Sequence, residues 1–113
     1  MNNDVLNIIW SSADREVALR LVFMYGHNSK LRGWWEKVRL IVWGPSAKLL
    51  AQDEELQMHV KAMITSGVEF SACKKCADEL GVGHDLVRLG IDVKYMGEPL
   101  TEILKRGERV LTF

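Results

Sequence analysis

Apolar residues along this chain follow two alternating spacings. Residues 5–10 (Val-Leu-Asn-Ile-Ile-Trp) and 38–43 (Val-Arg-Leu-Ile-Val-Trp) are short and nearly continuous runs, as expected of strands buried on both faces of a parallel sheet. After each run, apolar residues recur at three- and four-residue intervals, the repeat of an amphipathic helix. Ser11-Ser12-Ala13-Asp14 has the composition of a helix start, because serine and aspartate oxygens accept the free first-turn N–H groups. Val17, Leu21, Met24 and Tyr25 are expected on the buried face of that helix, with Gly26, Asn28 and Gly33 leading out of it. Gly44-Pro45-Ser46 breaks the second strand. One helical region is then expected, with Leu49, Leu56, Val60, Met63 and Ile64 on a shared face, ending at Ser66-Gly67.

A third unit repeats the pattern. Residues 68–72 read as a strand and residues 73–80 as a helix, with Gly81 as the left-handed residue that closes it. Residues 82–89 form a short helical turn. Ile91, Val93 and Tyr95 alternate as in a strand, Gly97-Glu98-Pro99 turns the chain into a helix over 100–106, and Gly107 leads to a last strand over 109–113. Five strands alternating with helices predict right-handed crossovers and a three-layer α/β/α domain with a mainly parallel five-stranded sheet. No linker or repeat divides the chain, so residues 1–113 are expected to form one domain.

Composition narrows the function. Fifteen basic and fifteen acidic side chains cancel, so nucleic acid and anionic membranes are not expected partners, since both select a basic excess. No stretch approaches the ~18 apolar residues of a membrane span. The start, Met1-Asn2-Asn3-Asp4, lacks the basic segment of a secretion signal, and a cytoplasmic protein is expected. In a reducing compartment two cysteines are chemical or metal-binding more often than structural.

Ligand crevices in open α/β sheets lie outside the carboxyl ends of the strands. Four strand ends carry distinctive residues there: Trp10-Ser11, Trp43-Gly44-Pro45, Ala72-Cys73 and Met96-Gly97, and Lys74 is expected to join the crevice they form. Cys73 falls where the third strand becomes a helix, a setting that favours thiolate, and Lys74 and Lys75 add positive charge. Cys76 follows at i+3 on roughly the same face, so the pair forms a C-x-x-C able to close a disulfide. Several readings are open for it: a reactive thiol, a thioredoxin-type dithiol, two inert core residues, or part of a zinc site between subunits. Zinc asks for four ligands, and His27, His59 and His84 are scattered, so no metal is expected. No cofactor is expected either, because Gly81-x-Gly83 is too short for a dinucleotide fingerprint and follows a helix. Ser11, Ser12 and Ser46 read as caps. Trp34-Trp35 reads equally as an interface anchor or as a cover for the core edge.

The run from Gly67 through Cys73-Lys74-Lys75-Cys76 to Val82 resembles the cysteine-bearing turn of DsrE/DsrF-like proteins. The ending is similar too, from Leu89-Gly90-Ile91-Asp92-Val93-Lys94-Tyr95-Met96-Gly97-Glu98-Pro99 through Leu111-Thr112-Phe113. That resemblance implies a five-stranded parallel α/β/α fold and homo-oligomers, often trimers or hexamers. It implies a sulfur relay in which Cys73, at the family's carrier position, accepts sulfane sulfur as a persulfide from a donor protein and passes it to an acceptor. Cys76 is an addition that admits a resolving or redox role. The competing expectation is a non-enzymatic ligand-binding or scaffolding subunit, with a crevice walled by Trp10, Trp43 and Met96.

Overall fold

The computed structural model describes residues 4–113. Five strands, β1 (Val5–Trp10), β2 (Lys37–Val42), β3 (Glu69–Cys73), β4 (Asp92–Lys94) and β5 (Arg109–Thr112), form one all-parallel sheet in the order β4-β3-β2-β1-β5. This order fixes the layers. The chain steps in one direction from β1 to β4, so three right-handed crossovers place their helices on the same face. It then returns across the whole sheet to β5, which places the last helix, α7 (Gly97–Lys105), on the other face. The sheet is therefore covered on both faces but unequally.

The main core lies on the crowded face. Leu6, Ile8 and Trp10 of β1, Val38, Leu40 and Val42 of β2, and Phe70 and Ala72 of β3 point into it. They meet Ala18, Val22 and Phe23 of the first helical segment and Leu50, Leu56, Val60 and Met63 of α3 (Pro45–Gln52) and α4 (Glu54–Thr65). Each such fully buried aliphatic chain contributes about 1.5–3 kcal/mol. The opposite face holds a small apolar cluster, Ile41, Cys73, Met96 and Ile103, beside a charged one. There Glu108, 8% exposed, accepts from Asn7 Nδ2 at 3.0 Å, Arg39 at 2.8 Å and Arg106 Nε at 2.8 Å.

The first helical segment departs from the expected face. It runs as α1 (Arg15–Val17), a π-helical stretch Ala18–Phe23, and α2 (Met24–Leu31). Ala18, Val22, Gly26 and Ser29 face the sheet, whereas Leu21 and Met24 are exposed and Val17 and Tyr25 half-buried. The reason is closeness of approach. A Cβ at Gly26 would sit 3.3 Å from Ile8 Cδ1 and 3.4 Å from Met63 Cε, so at that approach a small residue lies against the sheet, beside Val22 and Phe23, in place of Leu21 and Met24.

Three smaller differences follow from local chemistry. The single helix expected after β2 is two, because Asp53 adopts extended backbone and its Oδ1 accepts from Leu56 N at 3.1 Å, capping α4. The helix expected from residue 100 begins at Gly97, since Pro99 in the first turn gives up an N–H that has no intrahelical partner there. Strand β4 stops at Lys94, leaving Tyr95 exposed. No helix is long and apolar enough to cross a membrane, among the described residues.

Candidate functional site

Because every strand is parallel, the ends of β1, β2 and β3 and the start of α7 share one edge of the sheet. Hydrogen bonds tie these ends together. Trp43 N donates to Trp10 O at 3.0 Å, Ser46 N donates to Ser11 O at 3.1 Å, and Ser46 Oγ donates to Trp10 O. Ser11 Oγ donates to Phe113 O at 3.0 Å. Ser11 and Ser46 are thus braces between strand exits, and the cap of the first helix is Asp14, whose Oδ1 accepts from Glu16 N and Val17 N.

Cys73 ends β3 and holds the N-cap position of α5 (Lys74–Leu80) in extended backbone, φ −68° and ψ 113°. Its side chain points to the sparsely covered face, against Ile41 and Met96, and is 7% exposed. Cys76, one turn into α5, is half-buried and packs on the same cluster as Cys73. Both are free thiols. Burial pushes the Cys76 thiol above the usual thiol range, and the neighbouring Cys73 adds to this. The nearby Gly44 backbone N–H acts more weakly in the opposite direction.

Beside Cys76 lies a groove of about 530 Å³ between α3 and α5. Gly44, Pro45, Lys48 and Leu49 form one wall, and Cys76, Glu79 and Leu80 the other. Gly44 turns the chain into α3 at φ 83° and ψ −140°, a conformation open to glycine, and Pro45 takes the first helical position.

The expected crevice is partly assembled. Gly44 and Pro45 line the groove, and Trp43 and Met96 pack with Cys73 beneath it. Trp10 does not line it. Its side chain is fully buried in the main core, edge-on to Phe23 with ring centroids 5.1 Å apart, since even-numbered residues of β1 face the crowded side. Ser11 is engaged with Phe113, and Gly97 is exposed at the start of α7, away from the groove lining. Lys74 turns away from the thiols: its Nζ pairs with Asp78 Oδ2 at 2.9 Å and sits 5.7 Å from the Tyr95 ring. Sequence spacing missed Lys48, Leu49 and Glu79. These lie one to two turns beyond Gly44 and Cys76, and their role depends on two helices meeting. The tryptophan pair divides: Trp34 is exposed, while Trp35 packs on the core and donates to Tyr25 Oη at 3.2 Å. No group of three or more His, Cys, Asp or Glu placed to hold a metal occurs among the described residues.

A five-stranded parallel sheet with two thiols at its carboxyl edge defines a class of small α/β domain built around a strand-end cysteine. The DsrE/DsrF-like family model matches residues 9–113, and the chain belongs to that family. It is similar to the conserved protein of unknown function BT1422 from Bacteroides thetaiotaomicron, at 42% identity and TM-score 0.95 over 97% of this chain and 95% of that one. The protein of unknown function MTH1491 from Methanobacterium thermoautotrophicum shares the fold at 24% identity and TM-score 0.73, over 98% and 99% of the two chains. The ychN protein from E. coli shares it at 18% identity and TM-score 0.63, over 98% and 99%. No match is found among curated proteins.

Proposed function

We propose that this protein is a sulfur carrier that holds sulfane sulfur as a persulfide on Cys73. Membership of the DsrE/DsrF-like family suggests sulfur relay in general. The observation that carries the finer reading is the packing of two free thiols in one apolar cluster at the sheet's carboxyl edge. A Cys73 thiolate attacks the outer sulfur of a donor persulfide, forming a new S–S bond as the donor leaves as a thiol. A partner thiol then takes that outer sulfur in the same way, and Cys73 returns to its starting state. The covered position of Cys73, against Ile41 and Met96, keeps the persulfide from bulk solvent between these steps. Donor and acceptor proteins are the partners, and a reducing compartment such as the cytoplasm suits the two free thiols.

The placement of both thiols in one cluster also favours a second reading, a dithiol that cycles through a Cys73–Cys76 disulfide. One experiment separates the two. Reduced protein is incubated with a persulfide donor and its intact mass taken. Gain of one sulfur atom that is retained only when Cys73 is present supports the carrier. Loss of two hydrogens requiring both cysteines supports the dithiol, and wild-type protein that gains no sulfur sinks the carrier.

Self-association as a homotrimer or homohexamer is part of the proposal. Leu21, Met24 and Trp34 stand exposed beside Leu111 of the edge strand β5, and a second copy of this uncharged-on-balance chain meets no net repulsion there.

A further inference from the structure

The two cysteines are placed unequally. Among the described residues, Cys76 alone both lines the groove between α3 and α5 and packs in the apolar cluster around Cys73. Cys73 lines no part of that groove. A molecule seated in the groove therefore reaches the Cys76 sulfur first, and reaches Cys73 through it.

The groove's own chemistry narrows the molecule. Its volume, about 530 Å³, is that of a small-molecule site. Its walls are mainly apolar, with Pro45 and Leu49 facing Leu80. Two charges of opposite sign border it, Lys48 on α3 and Glu79 on α5, and neither has an ion-pair partner among the described residues.

We propose that Cys76 is the receiving thiol for a low-molecular-weight, zwitterionic persulfide of amino-acid or small-peptide type, and that it hands the sulfur to Cys73. The ligand's carboxylate lies toward Lys48 and its ammonium toward Glu79. In the first step the Cys76 thiolate attacks the outer sulfur of R–S–SH. A Cys76–S–SH persulfide forms, the donor's S–S bond breaks, and R–S⁻ leaves with the proton that Cys76 gave up. In the second step the Cys73 thiolate attacks the outer sulfur of Cys76–S–SH, giving Cys73–S–SH and restoring the Cys76 thiol. Sulfur is neither oxidised nor reduced overall, and no further reactant is consumed.

This inference rests on the carrier reading, and one experiment separates their failures. Cysteine persulfide is mixed with reduced wild type, Cys76→Ser, Cys73→Ser and Lys48→Ala, quenched by alkylation over a time course, and the persulfide mapped by mass spectrometry. In wild type the persulfide is expected first on Cys76 and later on Cys73. Loading of Cys73 in Cys76→Ser is expected to slow by about tenfold or more, because access limits thiol exchange. Cys73→Ser is expected to load Cys76 without passing the sulfur on. Lys48→Ala should raise the half-saturating concentration of cysteine persulfide and leave that of an uncharged alkyl persulfide unchanged. Cys76→Ser that loads Cys73 at the wild-type rate overturns this inference and leaves the carrier standing. Wild type in which Cys73 loads before Cys76 overturns it without recourse to any variant. Wild type that gains sulfur on neither cysteine overturns both.

Discussion

Cys76 packs against the same apolar cluster as Cys73 from one helical turn further along, and of the two only Cys76 reaches the groove between α3 and α5. The pair is thus ordered in depth, with a half-buried sulfur outside a buried one. That order has consequences for reactivity.

Alkylation is expected to follow it. Because burial raises the Cys76 thiol above the usual range, its thiolate becomes abundant only as pH rises past that range. Iodoacetamide labelling of Cys76 in the native protein should accelerate with pH throughout the mildly alkaline region. It should also precede labelling of Cys73, as read by peptide mass. Faster labelling of Cys73 in native protein contradicts the depth order.

Gly44→Ala tests the turn that forms one wall. A Cβ there meets nothing within 4 Å, so the cost is backbone strain alone, from a residue held at φ 83°. A loss of about 1–3 kcal/mol is expected by denaturant unfolding. A neutral effect places the turn elsewhere.

Glu108 gives the protein an acid-sensitive joint. Hydrogen bonds from Asn7 and Arg106, with the charges of Arg39 and Arg106, outweigh burial and hold its carboxyl below the usual carboxylate range. A lowered folded value stabilises the fold above the unfolded value, and this is lost as pH falls through the folded one. Glu108→Gln should therefore cost about 2–4 kcal/mol near neutrality, the arginines being partly exposed. The gap from wild type should close in acid, measured as unfolding midpoints against pH.

His27 acts in the same direction at higher pH. Burial and the nearby His59 lower its pKa, and its Nε2 lies 2.9 Å from Ser66 Oγ. The unfolded chain takes up the proton more readily, so stability falls as pH drops below the usual histidine value near 6.5. His27→Gln should flatten that slope in a melting series from pH 7.5 to about 5.

Self-association through the outer face of the first helical segment predicts that Met24→Glu lowers the mass seen by light scattering. The fold should survive, because Met24 is 52% exposed. An unchanged mass moves the interface elsewhere.

The strands were readable because burial on both faces leaves continuous apolar runs, and residues 5–10 form β1 as expected. Family resemblance and parallel topology together located both cysteines on the carboxyl edge. The face of the first helix was not readable from apolar spacing, since Ala18, Gly26 and Ser29 contribute by being small. The break at Asp53 did carry a signal, an aspartate directly before Glu54-Glu55 at a helix start. The fate of Trp10 was decided by strand parity, which places it with Leu6 and Ile8 on the crowded face, though its neighbour Ser11 sits at the edge. The orientation of Lys74 depends on a residue one turn away, since the side chain next to Cys73 in sequence pairs with Asp78 four residues on.

The return of the chain from β4 to β5 also governs how the sheet comes together. Leu6 pairs with Arg109 and Ile9 with Thr112, so one flank of the first strand is filled by the strand most distant from it in sequence. The pairing closes a loop that contains the other three strands, a larger entropic cost than any neighbouring pair in the sheet carries. Until β5 docks, the outer flank of β1 is an open sheet edge, the kind of surface on which separate chains pair.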